Sequence, residues 1–224
     1  MKTLFSMLFL FLSLQGFTQK KVSTEDWQSD LRFLQETIHE SFSFLFKKIK
    51  AKDFDAKVEH LYKEIPKLED HQIVVEFTKL VAAFKYGHTY LDHGNSSVTF
   101  HNIPIQIYEF TDGVFITGVH KDLSEILGAK ILEVEGKSIE EVFKAIYPTV
   151  AAENEYFFKS YGISNALVPE ILHTQKITKE LKETVTLTLE KEGSVFKRTI
   201  QASKNISKPI RYGEVIVMNL WSTF

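Results

Sequence analysis

The sequence predicts an α+β protein: an N-terminal three-helix bundle followed by a mixed α/β module. Three observations carry this. Apolar residues recur at three and four until about residue 87, which is the helical period, and at every second position from Val98 onward, which is the strand period. Two turns containing glycine, Thr111-Asp112-Gly113 and Glu192-Gly193, each join a pair of alternating runs into a hairpin. Between the hairpins lies a helix with a start signal of its own, Ser138 followed three residues later by Glu141.

The first helix opens on a similar signal, Ser23 with Asp26. It carries Trp27, Leu31, Leu34, Ile38, Phe42 and Leu45 along one stripe, so the spacing predicts a helix over 24–46. A second helix begins near Lys52, buries Phe54, Val58, Leu61 and Ile65, and stops at Pro66. A third begins near Glu69, carries Ile73, Val74, Phe77, Leu80, Val81 and Phe84, and is expected to end at Gly87 as its C-terminal glycine. That puts His88 just past its end.

The runs "IPIQIYEF" and "VFITGV" then read as the first hairpin. Residues 123–127 read as a short helix closed by Gly128, and "AKILEV" as a strand turned by Glu135-Gly136. The helix "IEEVFKAIY" ends at Pro148. Residues 152–173 look helical, with Pro169 as an interruption. "TVTLTLE" and "SVFKRTIQA" form the second hairpin. After a linker containing Pro209, "GEVIVMNLW" reads as a further strand with nothing after it to pair with.

Composition narrows the chemistry. A net charge of −2 with no basic stripe gives no footprint for nucleic acid. The absence of cysteine removes disulfides, thiolate metal ligands, cysteine nucleophiles and a lipid-anchored N-terminus. "MKTLFSMLFLFLSLQGFTQKK" has a basic start, a short apolar core and small residues Gly16 and Thr18 before a cut. This is the layout of a secretory signal peptide over residues 1–18. Its apolar run falls short of the roughly 20 residues that span a bilayer. The competing reading is a buried helix or a membrane anchor. The signal predicts an exported protein, periplasmic or extracellular, with no stable membrane anchor.

The densest candidate chemistry is "AAFKYGHTYLDHGN". His88 and His93 are five apart, Asp92 stands between them, and His101 lies eight further on. A metal site needs three converging ligands, and this spacing does not fit one helix face, so no metal and no cofactor is expected. His88 suits a general base, since imidazole titrates near neutrality. The competing reading is a histidine that caps a helix C-terminus. Ser164-Asn165-Ala166 lies in predicted helix, not on a strand-to-helix elbow, and is discounted as a nucleophile. Glu133 and Glu135 alternate beside a turn and read as solvated.

Three stretches in this order suggest a family. "DWQSDLRFLQETIHESFSFLF" is a helical segment, and "FTKLVAAFKYGHTYL" is a helix running into Gly-His-Thr. "LGAKILEVEGKSIEEVFKAIYPTVAAENEYF" looks like the core of a PDZ-like domain. Together they resemble the N-terminal half of the tail-specific (C-terminal-processing) serine peptidases, in particular their tricorn-core-like branch, over about residues 24–200. The resemblance implies a helical domain over 19–97, a PDZ-like domain over 98–204, and a linker with the start of a truncated catalytic domain over 205–224. It also implies that His88 is the general base for a serine carried by the family's catalytic α/β domain, which is missing here. The tail "KPIRYGEVIVMNLWSTF" departs from the family pattern. A base without its nucleophile performs no acyl transfer, so the chain alone is expected to be inactive. Peptide or unfolded-protein C-termini are the implied partners. The alternative is a stand-alone PDZ-like module that binds an extended peptide beside "VFITGV", with backbone donors near Gly113. A decayed product without function is the third possibility.

Overall fold

A computed structural model describes residues 22–91, 96–204 and 210–211. The signal segment, Asp92, His93 and the strand-like run "GEVIVMNLW" lie outside the described residues.

Helix α1 (Thr24–Ser41) starts where Ser23 accepts the amide of Asp26 at 3.0 Å. Only this forward half of the expected capping box forms, because aspartate is one methylene shorter than the glutamate that closes the reciprocal bond. Trp27, Leu31 and Ile38 are buried, and the Trp27 indole donates to Asp70 Oδ1 at 2.9 Å. The helix ends at Ser41, not at residue 46. Ser41 and Ser43 flank Phe42, and serine and aromatic neighbours propagate a helix poorly. Ser43–Lys47 form a 3₁₀ turn that buries Leu45 and leaves Phe42 and Phe44 exposed.

Helix α2 (Ala51–Glu64) buries Phe54, Val58 and Leu61 at spacings of four and three, and Pro66 sits in the 3₁₀ turn Ile65–Lys67 that follows. Helix α3 (Asp70–Ala82) is opened by a reciprocal Glu69–Gln72 capping box and buries eight side chains. Eight of thirteen is more than one stripe, so α3 is covered on several sides. It packs on α2, on the later helix Pro169–Thr174 and on the turn Tyr147–Thr149. It stops at Ala82, five residues before Gly87, so the expected terminal glycine is not its cap. Phe84 is wholly buried against Phe46 and Phe54 and draws the chain inward early, and Lys85 takes the left-handed turn at φ 49°.

The second part is an antiparallel sheet. Strands β1 (Ile105–Phe110), β2 (Gly113–Val119), β3 (Lys130–Val134) and β4 (Lys137–Ser138) lead into helix α4 (Ile139–Ile146). Its N-cap Ser138 and Glu141 form the reciprocal box read from the sequence. Residues 155–167 are not one helix but a chain of short α, π and 3₁₀ turns. Helix α5 (Pro169–Thr174) begins at Pro169, where a missing amide costs nothing. Strands β5 (Thr184–Lys191), β6 (Ser194–Gln201) and β7 (Ile210–Arg211) complete the sheet, ordered β1-β2-β3-β5-β6, with β4 on β3 and β7 on β2. The Glu-Gly turns at 135–136 and 192–193 have positive φ at both residues, the backbone that matches the twist of a two-residue hairpin.

Glu135 is not the solvated residue that alternation suggested. Its carboxylate is 5% exposed, accepts the Thr186 amide at 2.7 Å and pairs with Lys182, tying the 135–136 turn to β5. Glu133 accepts the Thr188 hydroxyl at 2.7 Å on the same face. Buried side chains from Trp27 to Ala202 form one contiguous core, so the helical part and the sheet share their interior. Among the described residues no helix is long and apolar enough to cross a membrane.

Candidate functional site

His88 is carried on a turn, not on a helix end. The Thr89 amide donates to the Tyr86 carbonyl at 2.8 Å, which makes Gly87 and His88 the turn's centre. The capping role is therefore excluded, since α3 closes at Ala82, six residues before His88. Two groups from the sheet part hold the turn. The Gly87 amide donates to Glu153 Oε1 at 2.8 Å. The Phe157 ring lies so close that a Cβ at residue 87 would sit 2.3 Å from its Cε2. Glycine is required there by proximity, because any side chain would overlap the ring.

The imidazole of His88 is exposed and packs edge-on against Tyr86, with ring centroids 6.3 Å apart. It stands on the wall of a cavity of about 640 Å³. Val75 and Thr78 of α3, Phe157 and Tyr161 of the 155–167 turns, and Ile171 of α5 contribute to that wall, which is mostly apolar. A space of this size and lining suits apolar side chains or a small ligand.

Three polar groups on the wall are already committed. Thr78 donates to the Val74 carbonyl at 2.9 Å and Thr149 to the Ile146 carbonyl at 2.7 Å, and Asn165 Nδ2 donates to Thr149 Oγ1 at 2.8 Å. With their protons held by carbonyls, neither threonine is an activated nucleophile. Among the described residues no carboxylate or hydroxyl hydrogen-bonds the His88 ring, so nothing there fixes its tautomer. Ser164 is exposed on the 3₁₀ turn Ile163–Leu167 and is not on the cavity wall.

The expected peptide position beside β2 is taken. One side of β2 is hydrogen-bonded to β1, and the other to β3 at Val114–Phe115 and to β7 at Gly118–Val119. Among the described residues the sheet's edges are β1, which pairs with β2, and β6, which pairs with β5.

Two histidine arrangements were not legible in the sequence. His101 Nδ1 lies 2.6 Å from Glu170 Oε1, and its amide donates to Glu170 Oε2 at 3.1 Å. Glu170 is 2% exposed, so its charge is met by this partner rather than by water. His71 Nε2 lies 2.8 Å from His173 Nδ1, joining α3 to α5 across stacked rings. Burial lowers the pKa of His71, while the nearby Glu69 carboxylate works against that shift. Partners 69 and 102 residues apart leave no trace in local spacing. The one available signal was Pro169-Glu170, which reads as a helix start with an acidic first turn. Among the described residues no group of three or more His, Asp or Glu side chains is placed to hold a metal ion.

No protein-family model matches the sequence, and no curated protein is detectably similar to it.

Proposed function

We propose that this chain supplies the general base and part of the peptide-holding wall of an exported serine-type peptidase, of the tail-specific, tricorn-core-like kind, and does not hydrolyse peptides on its own. One observation carries the reading: an exposed imidazole, His88, stands at the wall of an apolar cavity on a turn whose Gly87 is held by Glu153 and Phe157. In this reading a polypeptide places apolar side chains in the cavity and its scissile carbonyl near His88. The imidazole takes the proton of a serine hydroxyl as that oxygen attacks, and returns it to the leaving amine. The serine, and the acid that would orient the ring, come from outside the described residues. The module over 98–204 is PDZ-like in this reading and binds unfolded C-termini.

The test has two arms. The purified chain, given a denatured protein or peptides with free C-termini, should release no products, and cleavage sensitive to serine reagents would overturn the reading. Peptides ending in large apolar residues should shift the His88 ring resonances in NMR spectra. Peptides of the same length without apolar residues should not. Equal shifts from both, or none from either, would also count against it.

A stand-alone PDZ-like binding module is the second reading, favoured by the free edge of β6. A peptide pairing there would perturb the amides of Ser194–Gln201, and do so less when its C-terminus is amidated. Perturbation confined to the cavity would reject this reading.

A further inference from the structure

The wall of the cavity is also the seam between two helices, and a pair of histidines closes one end of that seam. Val75 and Thr78 follow His71 by four and seven residues, so all three lie along one face of α3. Across from them α5 presents Ile171 to the cavity and His173 to His71. At its N-terminal end α5 is held separately, by Glu170 bound to His101. We propose that the His71–His173 pair is a proton-operated latch that holds α5 against α3, beside this cavity, at neutral pH and releases it on acidification.

The hydrogen bond between the rings sets the logic. At 2.8 Å one nitrogen must donate and the other accept. Glu69 Oε2 lies 3.7 Å from His71 Nδ1, an electrostatic attraction that favours a proton on that nitrogen, and in that tautomer His71 Nε2 accepts from His173 Nδ1. One added proton leaves the bond in place, as an imidazolium donating to an imidazole. A second fills the last free nitrogen between the rings. Two N–H groups would then face each other and two cations would stack, with His71 only 5% exposed. The bond breaks and the C-terminal end of α5 swings from α3, while Glu170 and His101 hold its other end. The groups facing the pair are Glu69 and Asp70 at the start of α3, and Glu170 on α5. These carboxylates favour proton uptake by the pair, against the burial that opposes it. The consequence for peptide access rests on the reading of the cavity given above. The opening itself does not.

The experiment is hydrogen exchange of the full chain at about pH 7.5 and about pH 5, corrected for intrinsic rates. The amides of residues 171–177 should lose about tenfold more protection at the lower pH than those of β5 and β6. The double variant His71→Leu/His173→Leu should lose this response, and the exposed-histidine control His60→Gln should keep it. Unchanged protection in the wild type, loss spread evenly to β5 and β6, or the same response in the double variant would overturn the latch. If the double variant does not fold, imidazole NMR of the wild type decides. Two coupled steps support the latch, and independent single titrations overturn it. A labelled peptide with an apolar C-terminus should bind more tightly at the lower pH. If exchange responds and binding does not, the latch stands and the cavity's assignment as the peptide site fails.

Discussion

A methyl group at residue 87 would collide with the Phe157 ring, and a ring in a packed seam moves only by moving its neighbours. Gly87→Ala should therefore cost about 1–3 kcal/mol, the usual range for overpacking, read as a lower urea midpoint with an unchanged slope. It should also shift the His88 ring resonances, since the turn carrying them must yield. Glu153→Ala separates the two effects. Glu153 is exposed, so losing its bond to the Gly87 amide should change stability by less than about 1 kcal/mol while still altering His88. A variant that shifted neither property would show that the turn is held by something else. Trp27→Phe tests another single contact, the indole bond to Asp70 that ties α1 to the start of α3, and should cost about 1 kcal/mol. The importance of His88 could be read from the sequence only through its resemblance to a family motif. Its mounting could not, because Glu153 and Phe157 lie more than sixty residues away in the chain and carry no local mark.

Among the elements, those governed by short-range chemistry were legible. The α4 capping box, both Glu-Gly hairpin turns and the buried faces of α1 and α2 follow from residues within a turn of one another. Ser138→Ala should accordingly destabilise the protein by about 1 kcal/mol, measured by denaturant melting, and Ser138→Asp should restore most of it. Elements decided by distant packing were misplaced. Helix α3 ends early because Phe84 is drawn between Phe46 and Phe54, which belong to the preceding helical segments. The 155–167 stretch breaks into short turns as Phe158 packs on Phe143 and Tyr147 and Gly162 meets the Phe158 ring. Pro169 looked like an interruption because the break before it was invisible. With that break in place, it is the ordinary first residue of α5.

At the scale of the whole molecule the helices and the sheet share one core, so they should unfold together, with fluorescence and far-ultraviolet circular dichroism giving the same midpoint. That cooperativity makes a local titration a global one. Burial holds the pKa of His71 below its ordinary value of about 6.5, because the charged ring would lose its solvent. In the unfolded chain the same ring is solvated and takes its proton near that ordinary value. Between the two values the unfolded state binds more protons, so stability rises with pH there. The contribution of His71 is fully present above the unfolded value. It is lost as pH falls through about 6.5 toward the lower native value, and no more is lost below that. Urea midpoints taken from about pH 7.5 down to about pH 5 should therefore decline in the wild type. His71→Leu should flatten that decline, since no group remains at the site to take the proton. Histidines remote from the pair contribute to both proteins alike, so the difference between the two curves reports His71 together with its coupling to His173. A decline of the same steepness in both would show that burial of this ring sets no part of the acid sensitivity.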